Sequence, residues 1–190
     1  LLIITQAGFA EQTITKSRFI AAALPCKDER EIGAALRAFA AQHPSAHHLA
    51  YAFRIKTPEG IVPRFSDAGE PSGTAGLPIA KLLEGRDLIN VCVAVIRYYG
   101  GVNLGTGGLV RAYGGTAKMA LDNAKMAEFV EMHTVKLTIS YKQMDMMTSA
   151  LTKINGSIVS KNFNEQVDLV LSLPVHETAN FLNRFKAYPQ

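Results

Sequence analysis

Two cysteines are all that 190 residues hold, Cys26 and Cys92, far apart and in no CxxC pair. That excludes a disulfide framework and fits a reducing compartment. Cys92 lies inside "NVCVAVIRYYG", an apolar strand pattern, and reads as an inert core thiol. No apolar run approaches the length of a bilayer span, and "LLIIT" at the start is too short for a leader core and has no basic flank. The expectation is a soluble, cytoplasmic protein without a membrane partner. The strict catalytic and nucleotide signatures are absent too. There is no HExxH, no GxxxxGK[ST], no GxGxxG spacing and no nucleophile elbow. His43 and His47 are four apart, but Pro44 between them argues against one helical face presenting both. No metal, cofactor or catalytic residue is assigned on these grounds.

The chain nevertheless has ample material for a core, with 48% hydrophobic residues. Its net charge of +4 permits a nucleic-acid or ribosome partner without requiring one. "QTITKSRFIAAALPC" reads as one or two strands, with Lys16, Ser17 and Arg18 as a turn or exposed stretch. "KDEREIGAALRAFAAQH" reads as an amphipathic helix through Ile32, Leu36 and Phe39, ended by Pro44. "HLAYAFRI" alternates and predicts a half-buried strand, and "KTPEG" a turn. "FSDAGEPSGTAGLP" reads as a loop into a helix with Pro78 in its first turn. "NVCVAVIRYY", apolar on both faces, predicts a central strand, followed by a helix over "GGLVRAYGGTAKMALDNAK".

From about Phe129 the glycine-rich motifs stop. Strand, helix, strand, strand and helix follow, over "HTVKLTIS", "YKQMDMMTSALTKIN", "GSIVSKNF", "EQVDLVLSLP" and "HETANFLNRFKAY". That order is most of a ferredoxin-like unit with its last strand missing. The class is therefore α+β, with domains expected at 1–128 and 129–190. There is no repeat between the halves and no low-complexity linker.

Chemistry concentrates in two loops. "RYYGGVNLGTGGLVRAYGG", residues 97–115, holds seven of the fifteen glycines. A strand, a glycine-rich turn and a helix start can cradle a phosphate, with Gly105, Gly107 and Gly108 leaving backbone N–H groups approachable. On the helix, Arg111, Gly115 and Lys118 share a face and could meet phosphates. Spacing favours the plainer alternative, in which Gly114 and Gly115 allow close packing and the cations are solvated. Arg97, at the end of an apolar strand, needs a partner, for which Asp67 and Glu70 are candidates. Asp67 and Glu70 could instead act as acid and base or hold a metal, and Ser72 or Thr74 could cap the next helix. Tyr98, Tyr99 and Tyr113 suit base stacking or a core with a wet hydroxyl.

"SRFI" at 17–20, "HPSAHH" at 43–48, "FSDAGEPSGTAG" at 65–76 and "VIRYYGGVNLGTGGLVRAY" at 95–113 together resemble the YigZ/IMPACT family. The resemblance covers roughly residues 12–122. It implies an N-terminal domain like domain 2 of ribosomal protein S5 and a ferredoxin-like C-terminal domain like that of elongation factor G. It also implies a role in translation. Eukaryotic relatives regulate translation by competing for an activator of the kinase that phosphorylates an initiation factor. The family usually reads Asp-Asp-Gly-Glu-Pro, whereas Ala68 stands second here, which speaks against an enzyme. Two functions stay open. One is a non-enzymatic binding protein contacting RNA, the ribosome or a translation factor through Arg97, Arg111 and Lys118. The other is a small-molecule or phospholigand-binding enzyme with a pocket between the two glycine-rich loops. A third possibility is that the loops only lock each other.

Overall fold

The computed structural model describes residues 1–186 and divides into two compact units, Leu1–Phe129 and a second starting at Val130. In the first, β1 (Leu2–Gln6), β2 (Gly8–Ile14) and β3 (Ser17–Pro25) precede α1 (Glu29–Gln42). Then come β4 (His48–Thr57), β5 (Gly60–Ser66), α2 (Gly76–Gly85), β6 (Val91–Tyr98), α3 (Gly105–Asp122) and β7 (Lys125–Glu128). Five strands form one antiparallel sheet in the order β2-β3-β6-β4-β5.

β6 is central because it is apolar on both faces. Val91, Val93 and Val95 join the core beneath α2 and α3, while Cys92, Ala94 and Ile96 face clusters that α1 completes with Ile32 and Phe39. The half-buried reading of β4 needs correcting. Ala50 and Ala52 pack into the α2/α3 core, and Phe53 and Ile55 into the α1 side, so both faces are covered. Alanine looks weakly apolar in a sequence, yet here its small size admits the helices close to the sheet.

Other differences are local. The β2–β3 turn is Thr15-Lys16, both with positive φ (46° and 68°), as a two-residue hairpin turn requires. Ser17 and Arg18 therefore belong to β3, and Ser17 is fully buried. β5 shows no clear strand pattern in the sequence because Pro63 interrupts it, which an edge strand tolerates. β1 and β7 form a two-stranded ribbon, so α3 stops at Asp122 and Lys125 lies in a strand. α3 also begins two residues before the predicted Gly107.

In the second unit, β8 (Met132–Ile139), α4 (Met144–Lys153), β9 (Ser157–Phe163), β10 (Val167–Pro174) and α5 (Thr178–Lys186) follow in the predicted order. The described strands pair antiparallel as β8-β10-β9. Val167, Leu169, Leu171 and Leu173 alternate along β10 and form the core with Met147 and Leu151 of α4 and Phe181 of α5. A reciprocal capping box between Ser140 and Gln143 opens the turn that leads into α4. The predicted end of α5 at Tyr188, and any further strand, lie outside the described residues. Among those residues no helix is long and apolar enough to cross a membrane.

The two end glycines of α2 differ in what they permit. A Cβ on Gly76 would sit 2.4 Å from the Ser66 carbonyl oxygen, whereas one on Gly85 would meet nothing within 4 Å. Gly76→Ala is expected to destabilise by about 1–3 kcal/mol, and Gly85→Ala to be neutral or stabilising by up to ~1 kcal/mol. Urea unfolding of both variants checks this; equal costs would refute the packing account.

Candidate functional site

The site grows from one misfit. Arg97 continues the Val91, Val93, Val95 side of β6, and so turns its guanidinium toward the α2/α3 core, 5% exposed. A buried cation needs a partner and satisfied donors. Glu70 supplies the charge: Arg97 Nη1 donates to both its carboxylate oxygens, at 2.9 and 2.8 Å. Ser17 Oγ accepts from Nε and Nη2, at 3.3 and 3.2 Å. The guanidinium also faces the Phe19 and Tyr99 rings, 5.7 and 5.1 Å from their centroids.

His48 completes the cluster. Register places it opposite Arg97 on β4, and its Nε2 lies 2.7 Å from Glu70 Oε1. Its Nδ1 lies 2.8 Å from the Ala68 carbonyl oxygen. Both ring nitrogens of His48 thus face oxygen atoms. Below the pair, Tyr113 packs edge-on to Phe19, and its buried hydroxyl, near Glu70, makes no hydrogen bond of ordinary geometry among the described residues. Burial, reinforced by the nearby Glu70 charge, raises the phenol far above its ordinary range.

The loop that delivers Glu70 is held by Asp67. Its carboxylate accepts from the N–H groups of Gly73 (2.9 Å), Ala75 (3.1 Å) and Gly76 (2.8 Å). Burial alone would raise the Asp67 carboxyl. The N–H groups of Gly73, Ala75, Gly76 and Leu77 outweigh that and hold it below the usual range. Asp67 thus caps α2 from eight and nine residues away, since Ala75 at the cap position has no side chain to do so. The predicted caps are corrected accordingly. Thr74 Oγ1 donates backward to the Pro71 carbonyl at 2.6 Å, and Ser72 is exposed. Among the described residues Asp67 forms no ion pair with Arg97, whose carboxylate partner is Glu70.

Beside the ion pair lies a cleft of about 550 Å³ between the two glycine-rich loops, lined by His47, His48, Glu70, Arg97, Tyr99, Asn103 and the start of α3 at Gly105 and Thr106. His47 Nδ1 accepts from the Tyr99 N–H at 3.0 Å, so its ring proton sits on Nε2. His43 meets the Tyr98 hydroxyl at 2.7 Å. The three histidines of "HPSAHH" are thereby engaged with the glycine-rich loops and strand ends. No cluster of His, Cys, Asp or Glu among the described residues is arranged to hold a metal. Both cysteines are buried, and burial pushes the Cys26 thiol up to about 11.

A family model, the Impact N-terminal domain, matches residues 15–121. An IMPACT family member of Haemophilus influenzae is 36% identical over 173 residues, covering 90% of this chain and 84% of that protein. Another, from Thermus thermophilus, is 40% identical, covering 85% and 86%. The chain belongs to the IMPACT family. The YigZ protein of Escherichia coli is 34% identical across 90% of this chain and 84% of its own length. Among solved structures, one described as a hypothetical protein is 33% identical, covers 95% of this chain and 88% of its own, and superposes with a TM-score of 0.71.

Within this IMPACT domain the expected phosphate residues divide: Arg111, Gly115 and Lys118 line one groove between α2 and α3, while Arg97 lies elsewhere. Arg97 is spent on Glu70, beneath the loops. Lys118 pairs with Asp122 at 2.9 Å, and Asp122 also takes Arg86 at 2.7 Å; both hydrogen bonds hold its carboxyl below the usual range. Arg111 is exposed on α3, outside the cleft. The glycines divide by task as well. Gly100 is required by space, since a Cβ would lie 2.1 Å from the Lys16 carbonyl oxygen, and Gly105 by its φ of 75°. Gly107 and Gly108 do not line the cleft. Gly114 and Gly115 are not needed for close packing, because a Cβ there would make ordinary contacts at 3.5 and 3.7 Å. Ala68 has φ 50°, a left-handed conformation in which aspartate is favoured over alanine.

Sequence reasoning missed His48 and Ser17. Alternation along β4 put His48 on one face with Ala50 and Ala52, but only register sets it beside Arg97.

Two outcomes follow. Removing one partner of the buried pair, as in Arg97→Met, is expected to cost about 3–5 kcal/mol. Adding Glu70→Gln should recover part of that loss in a double-mutant cycle by urea unfolding; strict additivity would deny the coupling. Asp67 has a depressed folded pKa, so its contribution is present above the unfolded value of about 4 and is lost as pH falls through the folded one. Asp67→Asn should therefore be less stable than the parent by about 1 kcal/mol at pH 7. The gap should close as pH falls through the folded value, as followed by thermal unfolding across pH.

Proposed function

We propose that this protein is a non-enzymatic binding protein that acts on translation in the cytoplasm, through contact with the ribosome, RNA or a translation factor. Membership of the IMPACT family supports the setting. The observation that carries the binding reading is the closure of the charged cluster. Glu70 has both oxygens occupied, Arg97 is buried, and Asp67 is committed to backbone. A carboxylate so engaged is poorly placed to take a proton from a substrate. Lys81 of α2 and Arg111 of α3 are exposed, form no ion pair among the described residues and are available to a partner molecule.

The two units read as domains 1–128, like domain 2 of ribosomal protein S5, and 129–190, ferredoxin-like. The antiparallel order β8-β10-β9, with α4 and α5 in a common core, supports the latter. A second function has one observation in its favour. The cleft between the loops, about 550 Å³, is of a size that suits a small ligand. His47 Nε2–H and the start of α3 at Gly105 and Thr106 would suit a phosphate-bearing one.

Ribosome co-sedimentation at increasing salt tests the choice. The parent is expected to sediment at low salt and to be released as salt rises, with Arg111→Ala releasing earlier and His47→Ala behaving as the parent. Earlier release by His47→Ala alone would favour the cleft, and no sedimentation at low salt would refute ribosome contact.

A further inference from the structure

A groove of about 480 Å³ runs between α2 and α3. Its floor is apolar, built from Pro78, Leu82 and Val110, the last 39% exposed. Its rim is cationic: Lys81 and Arg86 on the α2 side, Arg111 and Lys118 on α3. Asp122 offsets part of that charge by pairing with Arg86 and Lys118, but Lys81 and Arg111 keep theirs, and no acidic residue lines the groove itself.

Three glycines, Gly85, Gly114 and Gly115, border the groove, and the fold does not account for them. None has a positive φ, and a Cβ at each would meet open space or ordinary contacts. Glycine weakens a helix, so a helix that keeps it without internal need points outward, to something that approaches its backbone closely.

We propose that this groove binds an acidic amphipathic helix of a protein partner, its apolar side chains on the Pro78–Leu82–Val110 floor and its carboxylates on Lys81 and Arg111. The inference rests on the reading above that this protein works by binding, and narrows it to a protein partner. Charge complementarity selects an acidic occupant, and the apolar floor selects a protein over RNA. Phosphate contacts need no apolar floor, and no aromatic ring lines the groove to stack a base.

The probe is a designed helical peptide of about five turns, with a leucine/alanine face and a glutamate face. A second peptide carries lysine for glutamate, and a uridine oligonucleotide serves as the RNA arm. Amide NMR of the full chain reads the result. The glutamate peptide is expected to shift the amides of Gly85, Gly114 and Gly115, and the lysine peptide to leave them unmoved. Lys81→Glu/Arg111→Glu, which changes only exposed side chains, is expected to weaken glutamate-peptide binding about tenfold. Gly114→Leu, checked for folding by the same spectra, fills the groove and should weaken it as well. No shift with the glutamate peptide, shifts elsewhere, or binding indifferent to the charge reversal overturns the groove. So does an oligonucleotide that binds there while the glutamate peptide does not. If the reversed variant still sediments with ribosomes and the peptide shifts nothing, the groove fails and the translation reading stands. If the parent fails to sediment while the peptide binds the groove, the groove stands and ribosome contact fails.

Discussion

The buried ion pair between Arg97 and Glu70 organises the first unit. An arginine on the core side of the central strand is untenable alone, so the fold must bring a carboxylate to it. That carboxylate comes on a loop, and the loop holds its shape because Asp67 gathers three backbone N–H groups at the start of α2. Ser17 at the start of β3 and His48 at the start of β4 close the remaining sides. Strand ends, loop and helix start are thus tied to one guanidinium. The two acids that look alike in "SDAGEP" have separate duties, one to backbone and one to a buried charge.

The glycines of the long motif answer to different constraints. Gly100 lies where another chain segment leaves no room for a side chain, and Gly105 turns the chain into α3 with a backbone that other residues resist. Gly114 and Gly115 obey neither constraint. In a helix that is otherwise a good core former, with Ala112, Tyr113, Thr116 and Ala117 buried, two adjacent glycines on the outer side are a cost the fold itself does not explain.

This division bears on function. The charged residues most conspicuous in the motifs are turned inward and matched, and they serve the architecture of the loops. Lys81 and Arg111, by contrast, are exposed beside an apolar groove between two helices.

Several features were legible from the residues alone, because each rests on local chemistry. Apolar character on both faces marked β6 as central, a 3.6-residue period marked α1, and the order of elements in the second unit could be read along the chain. The four motifs identified the family, and the position of Arg97 announced that a partner was needed. What tertiary structure decided was everything that depends on register or on reach across sequence. Which acid met Arg97, how His48 came beside it, why β4 is covered on both faces, and how β1 found β7 are matters of pairing between distant segments. Side-chain period is a property of neighbours along the chain; strand register and loop reach come from packing among residues far apart in it.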